Sequence, residues 1–191
     1  MRTCLAFFIA GLMLSFDANE QWTTVSAADP SASLSADLPA NIIINTPLTD
    51  VVVEMLRGSQ TFRNQCQRLG MVRLLNVKVS LESERRTPSR DECRAMTIIS
   101  RYQFGRIEAD VRLLTVVGSP MLIAHELEHI REYVEGMNYS AASVQHPSRV
   151  WISAQGHYET SRAIETGERV ASEMLRARAR QSTETLARRA P

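Results

Sequence analysis

The sequence lacks most of the features that would place it in a common class of protein. Its 191 residues carry a formal net charge of +1, so the overall charge does not point to nucleic acid. No segment after the first sixteen residues approaches the length of a membrane span. We find no internal repeat, and the three cysteines include no closely spaced pair of the kind that ligates zinc. A repeat protein, a nucleic-acid-binding protein and a cysteine-ligated zinc module are therefore not expected.

Residues 1–27 have the pattern of a secretory signal peptide. Arg2 supplies the positive start, and residues 4–16 form an apolar run that is too short to span a membrane comfortably. The segment ends in Val-Ser-Ala, whose small residues suit a cleavage site, so we expect a mature chain that begins near Ala28. An uncleaved anchor is the alternative. The sequence thus predicts an exported protein, periplasmic or secreted, with residues 28–40 as a flexible lead-in rich in Ser, Ala, Asp and Pro.

Two cysteines, Cys66 and Cys93, remain after the predicted cleavage. An even number of cysteines in an oxidising compartment favours a disulfide, which here would join a predicted helix to the polar loop over 84–94. Two buried thiols are the alternative interpretation.

Residues 41–180 predict one α+β domain in which a small antiparallel or mixed sheet packs against helices. Apolar and polar residues alternate in the strand candidates, which indicates strands with one buried face and one wet face. A helical spacing of apolar residues precedes them, and Gly58-Ser59 offers a point at which this helix divides in two. The predicted elements are strands over 41–45, 72–82, 96–102 and 106–115 and a helix over 49–70.

The strongest chemical signal is His125-Glu126-Leu127-Glu128-His129, which contains two of the four histidines. Gly118-Ser119-Pro120 precedes it and predicts a helix start with Ser119 as the N-cap. Residues 125 and 129 then lie on one face of the helix, where two neutral imidazoles can occupy adjacent corners of a zinc tetrahedron. Glu126 lies beside them, within reach of a water on the metal. The alternative is a surface helix with two solvated histidines.

A catalytic zinc site usually has a third protein ligand. Residues 156–175 predict a second helix whose buried stripe contains Ala163 and Gly167, and Glu159 heads that stripe. Because a carboxylate on a buried face needs a positive partner, we predict Glu159 as the third ligand. Glu165, on the polar side, is the second candidate, and a downstream histidine is a further one. The small residues of the stripe also predict a close approach of the two helices.

The helix-borne histidine pair followed by Glu159 resembles the zincin metallopeptidases, specifically their glutamate-ligand branch, the gluzincins, and small exported bacterial proteins of this type. The resemblance covers roughly residues 104–175. It implies a zincin-like core with two zinc-ligand helices and a Zn²⁺ cofactor. It also implies an edge strand, here 106–115, that holds an extended peptide by strand addition. One departure is Ala163, because many gluzincins carry an acidic residue four positions after the glutamate ligand, where it orients the first histidine.

These observations predict an exported zinc-dependent peptidase. His125, His129 and Glu159 hold the zinc, and Glu126 takes a proton from the zinc-bound water and delivers it to the departing amine. His157 and Tyr158 are candidates for stabilising the oxyanion, or are a surface pair or, for Tyr158, a core contact.

The alternative function is a non-catalytic zinc-binding or envelope protein-interaction module on the same fold. The expected partner is a peptide or protein substrate, with no nucleic acid, and the chain is expected to be a monomer. The arginine-rich end, 176–189, is predicted to be a solvated helix extension that frays, with 181–191 as a frayed basic tail. At most it makes a weak contact with an anionic envelope surface.

Overall fold

A five-stranded mixed sheet underlies the fold of the computed structural model, which describes residues 4–6, 38–82 and 94–189. The strands lie in the order β1-β4-β5-β3-β2. β4 and β5 are antiparallel, and the other neighbouring pairs are parallel. The strands are β1 (Cys4–Ala6), β2 (Ile42–Ile44), β3 (Leu75–Leu81), β4 (Ala95–Arg101) and β5 (Ile107–Leu113).

The alternation of the sequence sets which face of each strand is buried. In β3, Leu75, Val77 and Val79 are buried, whereas Asn76 and Lys78 between them are exposed, as the period of two requires. β3 begins three residues later than the sequence predicted, and Leu74 immediately before it has a φ of +65°, which is incompatible with extended strand. The predicted strands are confirmed: three have both ends trimmed, and β4 lies one residue earlier than predicted.

Five α-helices lie among the described residues, and all but the short fourth one contribute side chains to the core that buries the apolar face of this sheet. They are α1 (Thr49–Gly58), α2 (Gln60–Gly70), α3 (Ser119–Val134), α4 (Tyr139–Gln145) and α5 (Ser161–Arg189). The predicted division at Gly58-Ser59 is confirmed. Ser59 is extended, with φ −124° and ψ 115°, and its hydroxyl accepts a hydrogen bond from the Phe62 amide, so that it caps α2. The α+β class is thus confirmed.

β5 is not an edge strand, contrary to what the resemblance implied. It pairs along its whole length with β3 on one side and with β4 on the other, so its backbone has no edge to offer a peptide. The prediction failed because a strand with one buried face looks the same in sequence at the edge and in the centre. β4 lies nearer the edge, and β1 pairs with it over Met96, Thr97 and Ile98.

A second sheet, not predicted, is the antiparallel hairpin of β6 (Val150–Ile152) and β7 (Tyr158–Thr160). It corrects the helix predicted over 156–175, because α5 begins only at Ser161. The Thr160 hydroxyl accepts a hydrogen bond from the Ala163 amide at 3.0 Å, the contact of a helix N-cap. Glu159 therefore lies on a strand, and only one of the two implied ligand helices, α3, carries metal-ligand candidates.

The predicted signal peptide and lead-in are described only at 4–6 and 38–40, and the rest of both lies outside the described residues. Cys66 is a free thiol, fully buried in the core, which does not support the predicted bridge; Cys93 lies outside the described residues. Burial raises the pKa of Cys66 to about 12.

α5 continues through the C-terminal arginines to Arg189, which confirms the predicted helix extension at this end of the chain. Among the described residues, none of the helices has the length and apolar character needed to cross a membrane.

Candidate metal centre

Helix α3 brings the two histidines to the inside of the molecule. It starts at Ser119, and the preceding Gly118 adopts a φ of +76°, so that glycine and not Ser119 occupies the N-cap position. The Ser119 cap was therefore predicted wrongly, because the left-handed turn required by the backbone falls one residue earlier. His125 is 3% exposed and His129 is fully buried, which excludes the surface helix with solvated histidines.

His125, His129 and Glu159 form a buried group of the size of a metal site. The Nε2 atoms of the two histidines lie 3.0 Å apart, and His125 Nε2 lies 3.2 Å from Glu159 Oε2. The distance from His129 Nε2 to the same oxygen is 4.0 Å. Two ligands bound to zinc at ~2.0–2.1 Å in a tetrahedron lie roughly 3.3 Å apart. The three predicted ligand atoms are thus brought together at distances close to those of a metal site.

The buried carboxylate of Glu159 is also suited to binding a cation. Glu159 is 5% exposed, and within the described part of the chain its buried Oε1 has no hydrogen-bond partner. A buried carboxylate in this state carries a large desolvation cost that a bound cation would offset. The group can therefore bind a metal ion, and its two nitrogens and one carboxylate oxygen are the donor types found in zinc sites.

The environment of His125 favours the neutral imidazole. Burial lowers the pKa of His125, although the contact with Glu159 acts in the opposite direction. The neutral imidazole is thereby favoured, and this is the form that binds metals.

Glu126 is directed toward the sheet and is fully buried. The Thr97 hydroxyl of β4 donates a hydrogen bond of 2.6 Å to Glu126 Oε2. Thr97 lies on the inward face of β4, which explains how a strand residue reaches the helix. Thr97 could not be recognised as a functional residue from the sequence, because a single threonine in an alternating strand has no distinctive spacing.

A further buried carboxylate, that of Glu132, contacts His129 at the ring nitrogen that faces away from Glu159. Glu132 Oε2 lies 3.1 Å from His129 Nδ1 and accepts a hydrogen bond of 3.2 Å from the Tyr139 hydroxyl, while Oε1 accepts one of 2.8 Å from Thr160. Burial and the Glu132 charge raise the pKa of Tyr139, so this hydroxyl stays protonated as a donor. Position 163 has no acidic residue to orient His125, but Glu132 is an acidic residue that contacts the other histidine, His129.

Arginines neutralise the remaining buried carboxylate of the motif. Glu128 is 1% exposed and contacts Arg162 Nε at 2.5 Å and Arg131 Nη1 at 3.2 Å, while Gln65 donates to it at 2.8 Å. Arg162 also contacts Glu135 at 2.7 Å. These ion pairs join α3 to the first turn of α5, directly after the strand that carries Glu159.

The predicted close approach of the two helices is confirmed at Gly167. A Cβ atom on this glycine would lie 2.7 Å from the Met121 carbonyl oxygen and 3.3 Å from His125 Cβ. Ala163, one turn earlier, is fully buried. The small residues of α5 therefore let this helix pack directly against the backbone of the ligand helix.

The other predicted candidates lie outside the cluster. Glu165 is exposed on α5 and is not a member of the metal-binding group. Tyr158 packs beside Tyr139, with ring centroids 5.7 Å apart, which agrees with the core contact considered as an alternative. The His157 amide donates a hydrogen bond to the Ser153 hydroxyl within the β6–β7 hairpin. An oxyanion role for either residue stays a prediction.

Comparison with known proteins gave no match: no family model, curated protein or solved structure is similar to this chain.

Proposed function

We propose that this chain is an exported zinc-dependent hydrolase of the peptidase type, with Glu126 as its general base. The observation that carries the proposal is the buried His125–His129–Glu159 group, whose two histidines lie on the same stretch of α3 as Glu126. Zinc supported by two histidines and one glutamate is a common catalytic arrangement, in which one position is left for water or substrate. The predicted signal peptide supports export, and the resemblance to gluzincins supports the peptidase class.

Zinc bound in this group would supply Lewis acidity that polarises a carbonyl and lowers the pKa of water. Glu126 accepts a proton at its carboxylate and passes it to the leaving amine nitrogen. Thr97 holds one carboxylate oxygen of Glu126, so the base has a fixed orientation when the proton moves. His125 stays neutral because of its burial.

A peptide substrate would lie along the outer edge of strand β4. β4 carries Thr97, and its outer side pairs in parallel with β1, which also lies against β7, the strand of Glu159. Because β1 falls within the predicted signal peptide, cleavage near Ala28 would remove it. The unpaired backbone groups of residues 96–98 would then be available for strand addition beside the metal group.

The second candidate function is a non-catalytic metal-binding module that takes part in envelope interactions. The burial of the group favours it, since His129 and Glu126 are fully buried and a structural zinc site is closed to solvent.

The deciding experiment uses the protein isolated from the periplasm or medium after expression of the full chain. Mass spectrometry of its N-terminus tests the cleavage, and elemental analysis is expected to give one zinc per chain. Hydrolysis of a peptide library is then compared between wild type and Glu126→Gln. The variant should retain zinc and lose turnover by about 10²–10⁴-fold. Zinc in both proteins with no chelator-sensitive hydrolysis in either would favour the non-catalytic module, and absence of metal would refute both.

A further inference from the structure

We propose that Glu132 is the positioning residue of the metal centre: it fixes the tautomer and ring orientation of His129 and connects this ligand to the strand that carries Glu159. The inference rests on the proposed metal centre, but one of its consequences can be measured without metal.

The tautomer follows from the contact at His129 Nδ1. A carboxylate only accepts hydrogen bonds, so the 3.1 Å contact with Glu132 Oε2 requires the proton on Nδ1 of the neutral ring. The lone pair is then on Nε2, which faces His125 Nε2 at 3.0 Å and belongs to the candidate ligand group. With the opposite tautomer, an N–H would occupy the metal position.

The carboxylate is itself held by other parts of the fold. Tyr139 of α4 donates to Glu132 Oε2, and Thr160 of β7 donates to Oε1, so that the two oxygens have different partners. Thr160 is the neighbour of Glu159 and also caps α5 through the Ala163 amide. Glu132 thereby ties the position of His129 to that of Glu159, although the two ligands lie on different elements.

Burial increases the dependence of His129 on its contact with Glu132. Glu132 and His129 are both fully buried, so bulk water does not replace a lost partner. Hydrogen-bond partners of metal-bound histidines typically alter metal affinity by about 10–100-fold when they are removed.

The first test is the tautomer of His129 in the metal-free full chain, read from long-range proton–nitrogen correlations of the ¹⁵N-labelled imidazoles. Wild type should show the Nδ1–H form. Glu132→Ala should lose it, and Glu132→Gln, which keeps a neutral acceptor, should retain part of it. Glu128→Gln is the matched control, because Glu128 is also buried on α3 but contacts Arg131, Arg162 and Gln65, none of them a candidate ligand. It should keep the wild-type tautomer.

The second test is the affinity for Zn²⁺ itself, measured by competition with a chromophoric chelator. Glu132→Ala should bind zinc about 10–100-fold more weakly than wild type, with Glu132→Gln in between and Glu128→Gln within about twofold of wild type.

An Nε2–H tautomer in wild type overturns the proposal. So does wild-type affinity in Glu132→Ala, or an equal loss in Glu128→Gln, which would mark the effect as structural. If Glu132→Ala does not fold, the wild-type tautomer and the Glu132→Gln affinity decide. If wild type binds no zinc, the proposed function fails, while the tautomer still decides on Glu132.

Discussion

The substitution Gly167→Ala tests how closely the metal centre depends on the contact between α3 and α5. The new Cβ would lie 2.7 Å from the Met121 carbonyl oxygen, whereas ordinary contacts begin at 3.4 Å. The obstructing atom belongs to the backbone of a helix, so it cannot move away by a change of rotamer. The two helices must therefore separate by several tenths of an ångström, and His125 Cβ, 3.3 Å from the same point, must move with α3.

Two opposing terms set the size of the effect. Alanine is favoured over glycine in a helix by about 0.8–1 kcal/mol. Overpacking of a well-packed interface typically costs ~1–3 kcal/mol. We expect a net loss of about 1 kcal/mol in the free energy of unfolding, measured by urea denaturation of the metal-free chain. Zinc affinity should fall by about tenfold or more, because ligands must be held within ~0.5 Å of their working geometry.

Gly58→Ala is the matched control, because Gly58 on α1 also faces α5. Its Cβ would meet Met174 Sδ at 2.8 Å and Ala177 Cβ at 3.2 Å. The nearer atom belongs to a flexible side chain that can adapt, and neither residue is near the candidate ligands in sequence. This variant should change stability by less than about 1 kcal/mol, since helix propensity offsets the crowding. Its zinc affinity should stay at the wild-type value. A Gly167→Ala chain with wild-type zinc affinity and undiminished stability would refute the reasoning.

Three further predictions follow from the same contacts. Glu159→Gln should lower zinc affinity at least about tenfold, whereas Glu165→Gln, on the exposed side of α5, should leave the zinc content unchanged; the reverse result would reassign the third ligand. Thr97→Val should retain zinc but lower turnover about tenfold, because Glu126 loses the hydroxyl that orients it, and an unchanged rate in the peptide assay would argue against that role. Burial alone would raise the pKa of Glu173, but hydrogen bonds from Ser59 and Thr61 at the start of α2 outweigh it and lower the pKa below 4.5. The ionised Glu173 therefore stabilises the fold at neutral pH, and this stabilisation is lost as the pH falls from about 4.5 through the folded-state pKa. Glu173→Gln should cost about 1–2 kcal/mol in urea unfolding at pH 7 and less at pH 3, and a pH-independent difference would contradict this assignment.

The elements that the sequence predicted well are those with one buried face. The strand periodicity of 72–82 and the break at Gly58-Ser59 both appear in the structure, because the alternation of residue types and a break in a helical pattern can be read from neighbouring residues. The candidate ligands were predicted for a similar reason. A pair of histidines four residues apart has few geometries available, and a glutamate in an apolar stripe indicates a buried charge.

Position within the sheet could not be predicted, because it depends on pairing between distant segments. β7 is only three residues long, so its alternation is too short to recognise, and the helical stripe beyond it extends by chance to Glu159. The glutamate is buried as predicted, but through strand pairing opposite Trp151 and not through the helix. The contact of Glu132 with His129 could have been predicted from the sequence, because Glu132 lies three residues after His129 on the same helix face.

The balance of charge along α3 argues for a cation independently of the motif. This helix buries five ionisable side chains, and such groups cost free energy unless they are paired. Two arginines balance the charge of Glu128, whereas Glu132 contacts two neutral hydroxyls and a histidine. Apolar residues of similar volume would cover the sheet at equal or better stability. Completing the core therefore does not explain why α3 carries these five ionisable side chains. The acceptors that converge at His125, His129 and Glu159 could hold a positive ion among them. The five side chains are His125, Glu126, Glu128, His129 and Glu132.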